Sequence, residues 1–217
     1  MTQKNDSFEG TASFAYDKLG ELISITHPVI GLVTFALDQL GNRTQVKTGT
    51  VPENYTTNAL NEYQTVGTKT FQYDPNGNLL SRLDTSTGLK TSYDYDMKDR
   101  LTQVTLPDST QVTFTYDALG RRASKTSGFQ TTRYLWDGDE LLAELDPSGN
   151  LLRSYVHGIE VDEVLYQEDY TKQETLFFHQ DNLESTLALT DTSGRVKESF
   201  TYDPYGNLLS RPSLCFF

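Results

Sequence analysis

Hydrophobic and polar residues alternate with a period of two along much of the chain. Val112, Phe114 and Tyr116 alternate with threonines, and segments 33–37 and 91–95 show the same pattern. Successive side chains of a β-strand point to opposite faces, so this alternation predicts strands with one aromatic face and one hydroxyl-bearing face. No window of about 11–18 residues has strong helical spacing, and we therefore predict an all-β protein with negligible helix.

The predicted strands lead into Asp-x-x-Gly segments. In Asp74-Pro-Asn-Gly77 every position suits a type I turn, with Asp first, Pro second, Asn third and Gly fourth. The aspartate can accept hydrogen bonds from N–H groups of the turn, and glycine can adopt the positive φ that redirects the chain. A second strand follows, as in 100–105, so each repeat of about 20 residues is predicted to be one antiparallel β-hairpin.

The turn motif recurs in register along the chain. The residue before the aspartate is usually tyrosine, the residue three before it is aromatic in every repeat, and the fourth turn residue is usually glycine. The signature positions are Tyr16, Asp17, Gly20, Asp38, Gly41, Tyr73, Asp74, Gly77, Tyr95, Asp96, Tyr116, Asp117, Gly120, Trp136, Asp137, Tyr202, Asp203 and Gly206. Asp99 replaces one glycine, Gly138 comes early in the Trp136 repeat, and a repeat near 61–63 has degenerated. Stacked hairpins of this kind gain stability from their neighbours.

Composition excludes several functions. The net charge is −12 and neither half of the chain is basic, which argues against a surface that binds nucleic-acid phosphates. Cys215 is the single cysteine, so no intrachain disulfide can form. No run approaches the ~18–20 apolar residues of a membrane span. The first residues are polar and are followed by no apolar segment, so we predict no signal peptide.

A few residues could carry chemistry, but a structural role is favoured for each. His179 and Asp181 are spaced like a base with its orienting carboxylate, yet no nucleophile accompanies them. The spacing of His27, His157 and His179 matches no metal motif. Acidic residues within 160–169 are predicted to form a solvated loop rather than a calcium site. The aromatic columns could stack on sugars, but their period of two favours packing within a sheet.

Three of the repeats resemble the YD repeats of RHS proteins: Tyr73-Asp-Pro-Asn-Gly-Asn78, Tyr116-Asp-Ala-Leu-Gly-Arg121 and Tyr202-Asp-Pro-Tyr-Gly-Asn207. Segment 134–158 resembles the last repeats before the RHS core, and 178–206 resembles the core signature. The core-like positions are His179, Asp181, Leu183 and Ser185. Glu184 stands where the family usually has glycine. The resemblance covers the chain from about Phe14 to Leu209.

This resemblance implies a structural protein. RHS proteins, insecticidal toxin-complex subunits and teneurins build a hollow shell from a spiralling sheet of YD hairpins. In the bacterial members the shell encloses a C-terminal toxin, which an aspartyl autoprotease motif after the core releases. We therefore expect a shell fragment of a polymorphic toxin that acts in competition between bacteria or against hosts. The autoprotease motif would lie downstream of Phe217, so we expect no catalytic residues here.

The same resemblance predicts the partners and the location. The partners would be the remainder of the shell and an enclosed toxin polypeptide, with no nucleic acid and no cofactor or metal. The protein would be secreted or associated with the cell surface, exported by a partner or an upstream region. The alternative is a cell-surface module that binds carbohydrate or protein through exposed tyrosine and tryptophan side chains.

The repeats also predict a domain organisation. Residues 1–13 are expected to be disordered or to form a partial repeat. Residues 14–133 are expected to form the array of YD hairpins, and 134–209 the final repeats with the core-like segment. Residues 210–217 do not continue the repeat and are expected to form a separate tail.

Overall fold

The computed structural model describes residues 2–6, 10–28, 30–160, 162–181, 184–203 and 205–210. Within these ranges every regular element is a β-strand, which confirms the predicted all-β class. The chain divides into two compact units, Met1–Thr110 and Gln111–Phe217. The sequence-based boundary at 133/134 follows the signature of the repeats, whereas the two units are separated between strands β11 and β12, which are defined below.

The first unit is an antiparallel meander in which each strand pairs with the next one along the chain. Its strands are β1 (Thr2–Asp6), β2 (Gly10–Tyr16), β3 (Leu22–His27), β4 (Gly31–Leu37), β5 (Arg43–Thr48), β6 (Val51–Thr57), β7 (Tyr63–Val66), β8 (Lys69–Tyr73), β9 (Leu79–Asp84), β10 (Lys90–Tyr95) and β11 (Leu101–Thr105). Segment 1–13, predicted as disordered or a partial repeat, contains β1 and the start of β2.

The second unit has the same architecture. Its strands are β12 (Gln111–Tyr116), β13 (Arg122–Ser127), β14 (Gln130–Asp137), β15 (Glu140–Leu145), β16 (Leu151–His157), β17 (Val164–Asp169), β18 (Glu174–Gln180), β19 (Thr186–Thr190), β20 (Val196–Ser199), β21 (Thr201–Tyr202) and β22 (Leu208–Ser210). Strands β12 to β20 pair consecutively, and β21 pairs with β22. Apart from Ser210, the predicted tail 210–217 lies outside the described residues.

The alternation of the sequence places a small apolar core in the first unit. Ile25 of β3 lies opposite Val33 of β4, and both are buried together with Phe35. Partly buried apolar side chains from four neighbouring strands and the β3–β4 connection surround them. Burying a side chain of this size stabilises the fold by about 1.5–3 kcal/mol. The core is therefore shared among adjacent hairpins and belongs to no single one.

A buried carboxylate distinguishes the second unit. Asp169 at the end of β17 is only 2% exposed and accepts hydrogen bonds from the Thr171 and Lys172 N–H groups and from Arg153 Nε at 3.1 Å. Arg153 also donates to Glu144 at 2.7 Å. The expectation that the acidic residues of 160–169 form a solvated loop is therefore wrong for Asp169. Its charge is retained because a guanidinium and two backbone donors compensate for the loss of water.

Candidate functional site

The Asp-x-x-Gly segments fold into five-residue turns held by the aspartate. In the turn 74–78, the N–H of Asp74 donates to the Asn78 carbonyl at 2.9 Å, and the Gly77 N–H donates back to the Asp74 carbonyl at 3.1 Å. Asp74 Oδ1 accepts the N–H groups of Asn76 and Asn78, both at 2.9 Å, while Oδ2 accepts Asn78 Nδ2. The carboxylate therefore satisfies three donors in a loop that has few other acceptors.

The same backbone pattern recurs throughout the described residues. The turns begin at Asp17, Asp38, Asn58, Asp74, Asp96, Leu106, Asp117, Asp146, Asp181, Asp191 and Asp203. The fourth residue always has a positive φ, as type I turns followed by a left-handed residue require. It is glycine in most of these turns, but Asn61, Asp99, Ser109 and Glu184 adopt φ of 62°, 57°, 68° and 64°. The turn geometry is therefore retained where the glycine is lost.

Two features of the turns differ from the sequence prediction. Asp137 ends strand β14 opposite Glu140, with a two-residue turn at Gly138 and Asp139, and so it does not begin a five-residue turn. The repeat assigned near 61–63 begins at Asn58, whose Oδ1 accepts the N–H groups of Leu60 and Glu62. An asparagine carbonyl oxygen thus performs the role of the aspartate carboxylate.

The core-like positions form one of these turns. Asp181 Oδ1 accepts the Ser185 N–H at 3.0 Å, and the backbone of Asp181 makes both turn hydrogen bonds. Glu184 occupies the fourth position, where the family resemblance leads one to expect glycine. His179 makes a contact of 2.9 Å from Nε2 to Thr190 Oγ1 on the neighbouring strand. Leu183 lies outside the described residues.

The residue that precedes the turn lies at an irregularity of strand pairing. Register shifts occur immediately before Tyr16, Leu37, Thr57, Tyr73, Tyr95, Tyr116, Trp136, Leu145, His157, Gln180, Thr190 and Tyr202. Such a β-bulge changes the direction of a side chain relative to regular strand geometry. The position of the tyrosine in the repeat is therefore the position at which the chain re-aims a side chain.

Four of these side chains, which we call the fastener residues, donate a hydrogen bond to a backbone carbonyl of the preceding strand. The bonds run from Tyr73 to Tyr63 at 3.0 Å, from Tyr95 to Leu79 at 3.2 Å, from Trp136 to Arg122 at 2.8 Å and from His157 to Leu141 at 2.8 Å. A carbonyl only accepts, so His157 Nε2 carries the proton. The three types of side chain share one feature, an N–H or O–H donor on a planar ring.

The fasteners span the part of each strand pair that the backbone ladder leaves open. Between β9 and β10, paired residues end at Ser81 and Ser92, and the bond joins Leu79 to Tyr95 beyond them. The pairs β7–β8, β13–β14 and β15–β16 show the same offsets. The acceptor is two residues before the last ladder residue on one strand, and the donor is three residues after it on the other. The fastener therefore joins two consecutive hairpins beside their turns, where the backbone ladder between them has ended.

The degenerate repeat has no fastener residue, but a different tyrosine makes a hydrogen bond to a neighbouring hairpin. Thr57 occupies the tyrosine position before Asn58 and is too short to reach the neighbouring hairpin. Instead, the Tyr63 hydroxyl accepts the Arg43 N–H at 3.1 Å, across strand β6. The Arg43 guanidinium lies 5.1 Å from the ring centroid of Tyr55 and 5.7 Å from that of Tyr63, within the range of cation–π attraction.

Hydrogen bonds set the electrostatics of the turns. The side-chain amide of Asn78 lowers the pKa of Asp74, and the Arg100 side chain lowers the pKa of Asp96 to about 2. Burial raises the pKa of Glu21, as do the nearby charges of Asp17 and Asp38. Asp74 and Asp96 are therefore held ionised, whereas Glu21, the fifth residue of its turn, is crowded by other carboxylates.

An open groove of about 400 Å³ lies on the first unit. Its lining is polar with one aromatic side, and the residues are Asn58, Glu62, Gln64, Phe71, Gln72, Tyr73, Asp74 and Leu80. No group of three or more potential metal ligands occurs among the described residues. Within the same residues, no helix is long and apolar enough to cross a membrane.

A model of the teneurin YD-shell family matches residues 1–216. The chain is 34% identical to the tRNA3(Ser)-specific nuclease WapA of Bacillus spizizenii over 200 residues, which are 88% of this chain and 8% of that protein. It is 29% identical to the double-stranded DNA deaminase toxin A of Burkholderia cenocepacia, and the match covers 96% of this chain and 16% of the toxin.

Solved structures with a similar fold include the TcdB2-TccC3-Cdc42 complex, with a TM-score of 0.48 and 15% identity over 93% of this chain and 13% of that one. The Photorhabdus luminescens Tc holotoxin pore has a TM-score of 0.44 and 12% identity over 97% of this chain and 15% of that one. The chain thus spans less than a fifth of the length of each of these proteins.

Proposed function

Because the chain belongs to the teneurin YD-shell family, an RHS-type family of YD repeats, we propose that it forms part of the wall of a shell that encloses a toxin polypeptide. The fastener residues are the observation that carries this proposal. A wall must be continuous, and the fasteners close the strand pairs at the end where the backbone ladder stops. Chemical activity is not needed for such a role, since the wall acts by keeping its contents away from the surroundings.

The aromatic residues support this role over carbohydrate binding. Trp136 donates its indole N–H to the Arg122 carbonyl, and the hydroxyls of Tyr73 and Tyr95 are engaged in the same way. A sugar site needs free ring faces and free polar groups, whereas these side chains use their polar atoms within the sheet. A cell-surface binding module is therefore the weaker proposal.

We also propose that the chain has no catalysis of its own. The relatives are named for nuclease and deaminase activities, but the chain spans only 8% and 16% of their lengths. His179 contacts Thr190, and Asp181 accepts a turn N–H. The purified chain should neither cleave itself nor degrade nucleic acid. Self-cleavage that Asp181→Asn or His179→Ala abolishes would contradict this assignment.

The shell proposal can be tested on the natural gene product that contains these 217 residues. Electron cryomicroscopy should show the described strands in a wall around additional polypeptide, and limited proteolysis should leave that polypeptide intact. Release of the whole gene product into the culture medium would test the further expectation that the protein is secreted and acts in microbial competition. A gene product without a protected internal polypeptide would overturn the shell function.

Two substitutions test whether the turns of the wall protect the enclosed polypeptide from protease. Asp74→Ala removes the acceptor of three hydrogen bonds in one turn. Asp139→Ala makes the same chemical change at an exposed position in a two-residue turn. Protease should reach the enclosed polypeptide faster in the Asp74→Ala protein than in the Asp139→Ala protein. Equal protection in both would show that the turns do not maintain the wall.

A further inference from the structure

Five turns of the first unit lie in a row along one edge of the meander. Antiparallel strands reverse direction at every connection, so every second connection lies at the same edge. We call this the turn edge, and its turns begin at Asp17, Asp38, Asn58, Asp74 and Asp96. Neighbouring turns on this edge are two strands apart, which is about 10 Å at the usual spacing of strands. Side chains can therefore bridge from one turn to the next.

Side chains do meet between consecutive turns, and each meeting includes the same two positions. The fifth residue of one turn approaches the fourth residue of the next. Asn42 Nδ2 donates to Asn61 Oδ1 at 3.0 Å, and Asn78 Nδ2 donates to Asp99 Oδ1 at 2.7 Å. Asn76 adds a second bond to the same Asp99 oxygen at 2.9 Å. The residues that replace glycine are thus the acceptors of bonds from the neighbouring turn.

Where the fourth residue is glycine, the neighbour presents a glutamate instead. A Cβ added to Gly41 would lie 3.0 Å from Glu21 Oε1, and one added to Gly77 would lie 3.2 Å from Glu62 Oε1. Both distances are closer than ordinary contact. The glutamate carboxylate lies so close to the glycine that it would have to shift by a few tenths of an ångström to admit a Cβ, and the same glycine supplies the positive φ.

Exchanging partners between the glutamate–glycine and asparagine–aspartate pairs is unfavourable on physical grounds. A glutamate facing Asp99 would bring two carboxylates together, and their like charges would repel each other. An asparagine facing a glycine would lose the side-chain acceptor that it uses in the other pairs. Along the turn edge the pairs alternate as Glu21 with Gly41, Asn42 with Asn61, Glu62 with Gly77, and Asn78 with Asp99.

We propose that the turn edge is a recognition surface through which each YD hairpin selects its neighbour. The fifth residue of one turn recognises the fourth residue of the next, by glutamate on glycine or by asparagine on asparagine or aspartate. The partner that fits this surface is another YD hairpin whose turn carries the complementary residue. This inference goes beyond the proposed shell role, because it concerns the order of the hairpins and holds whatever the sheet encloses.

A double-mutant cycle at Asn78 and Asp99 tests the proposal on the whole chain. Asn78→Glu places a carboxylate against Asp99, and adding Asp99→Gly converts the pair into the glutamate–glycine type. The measurement is native-state hydrogen exchange of the 74–78 and 96–100 backbone amides. The Asn78–Asp74 bond is kept in both proteins of the wild-type background and lost in both proteins of the Asn78→Glu background, so it cancels within each comparison.

The expected result is a coupling between the two positions. Asp99→Gly removes the strain of a positive φ in both backgrounds, but it should raise the protection of these amides about tenfold more in the Asn78→Glu background than in the wild-type background, where it also removes the bond from Asn78. This lies within the range measured for contacting residues. The control combines Asn42→Glu with Asp99→Gly, whose turns are not neighbours, and should be additive within about twofold.

Two outcomes would overturn the proposal. One is an equal effect of Asp99→Gly in both backgrounds, and the other is a coupling in the control as large as that between Asn78 and Asp99. The pair Glu62 and Gly77 offers an independent second cycle with Gly77→Asp and Glu62→Asn, which converts a glutamate–glycine pair into the asparagine–aspartate type and applies even if the Asn78→Glu protein fails to fold. The second cycle should show the same sign of coupling, and additivity there would also contradict the recognition model.

Discussion

Replacing Tyr73 with phenylalanine should weaken one hairpin junction by a predictable amount. The substitution keeps the aromatic ring and removes only the hydroxyl, which donates to the Tyr63 carbonyl at 3.0 Å. Burial raises the pKa of Tyr73, which indicates a hydroxyl that is withdrawn from water. The ladder between β7 and β8 has only two residue pairs, so this side-chain bond is a large part of the connection.

The magnitude follows from the hydrogen bond alone. A net contribution of about 0.5–1.5 kcal/mol is typical for one intramolecular hydrogen bond, and an acceptor left without its partner raises the cost toward about 2 kcal/mol. We expect a loss of about 1–2 kcal/mol in the free energy of opening this junction. This corresponds to a decrease of about fivefold to thirtyfold in the hydrogen-exchange protection of the junction's amides.

The assay is native-state hydrogen exchange resolved to β7–β9, together with denaturant unfolding followed by far-UV circular dichroism. Tyr93→Phe provides a matched control, because the Tyr93 hydroxyl has no hydrogen-bond partner among the described residues. It should change stability by no more than about 0.5 kcal/mol. If Tyr73→Phe and Tyr93→Phe behave alike, the fasteners do not hold the hairpins together and the reasoning fails.

Three further predictions concern the turns. Glu184→Gly should raise the melting temperature slightly, because glycine adopts the positive φ of 64° that strains glutamate; a lower melting temperature would show that the Glu184 side chain is needed. Gly77→Val should destabilise the chain by roughly 1–3 kcal/mol in denaturant unfolding, and more than Gly206→Val in the two-stranded β21–β22 pair; equal tolerance would contradict the turn assignment. The pKa of Asp96 is depressed to about 2, so its contribution to stability should be present above about pH 4 and be lost as pH falls toward 2. Melting temperatures measured against pH should show a shallower acid decline for Asp96→Asn, and identical profiles would refute this role.

The sequence predicts the hairpins well because each one is specified locally. The aromatic alternation of 112–116 and the turn residues of 74–77 determine strand and turn without reference to the rest of the chain. The hairpin at Asn58 shows the limit of this reasoning, because tyrosine, aspartate and glycine are all replaced there, by Thr57, Asn58 and Asn61. The turn survives because asparagine provides an acceptor oxygen and tolerates a positive φ.

Contacts between hairpins are the part that the sequence does not predict. The fastener bonds depend on where two strands stop pairing, and that point depends on the register shifts. Similarly, Asp169 lies in an acidic stretch that reads as solvated, and only the fold brings Arg153 against it. Glu21 and Asn78 look like ordinary surface residues until the turns are placed side by side.

The strict pairing of each strand with its chain neighbour has a consequence for synthesis on the ribosome. The hydrogen bonds between neighbouring turns join residues only 19 to 23 positions apart, so the contact order of each unit is low for a β-protein. A new hairpin can dock onto its completed predecessor as soon as it leaves the exit tunnel, without waiting for distant sequence. Vectorial growth of this kind adds only one new unpaired strand edge at a time, which limits aggregation of the nascent chain.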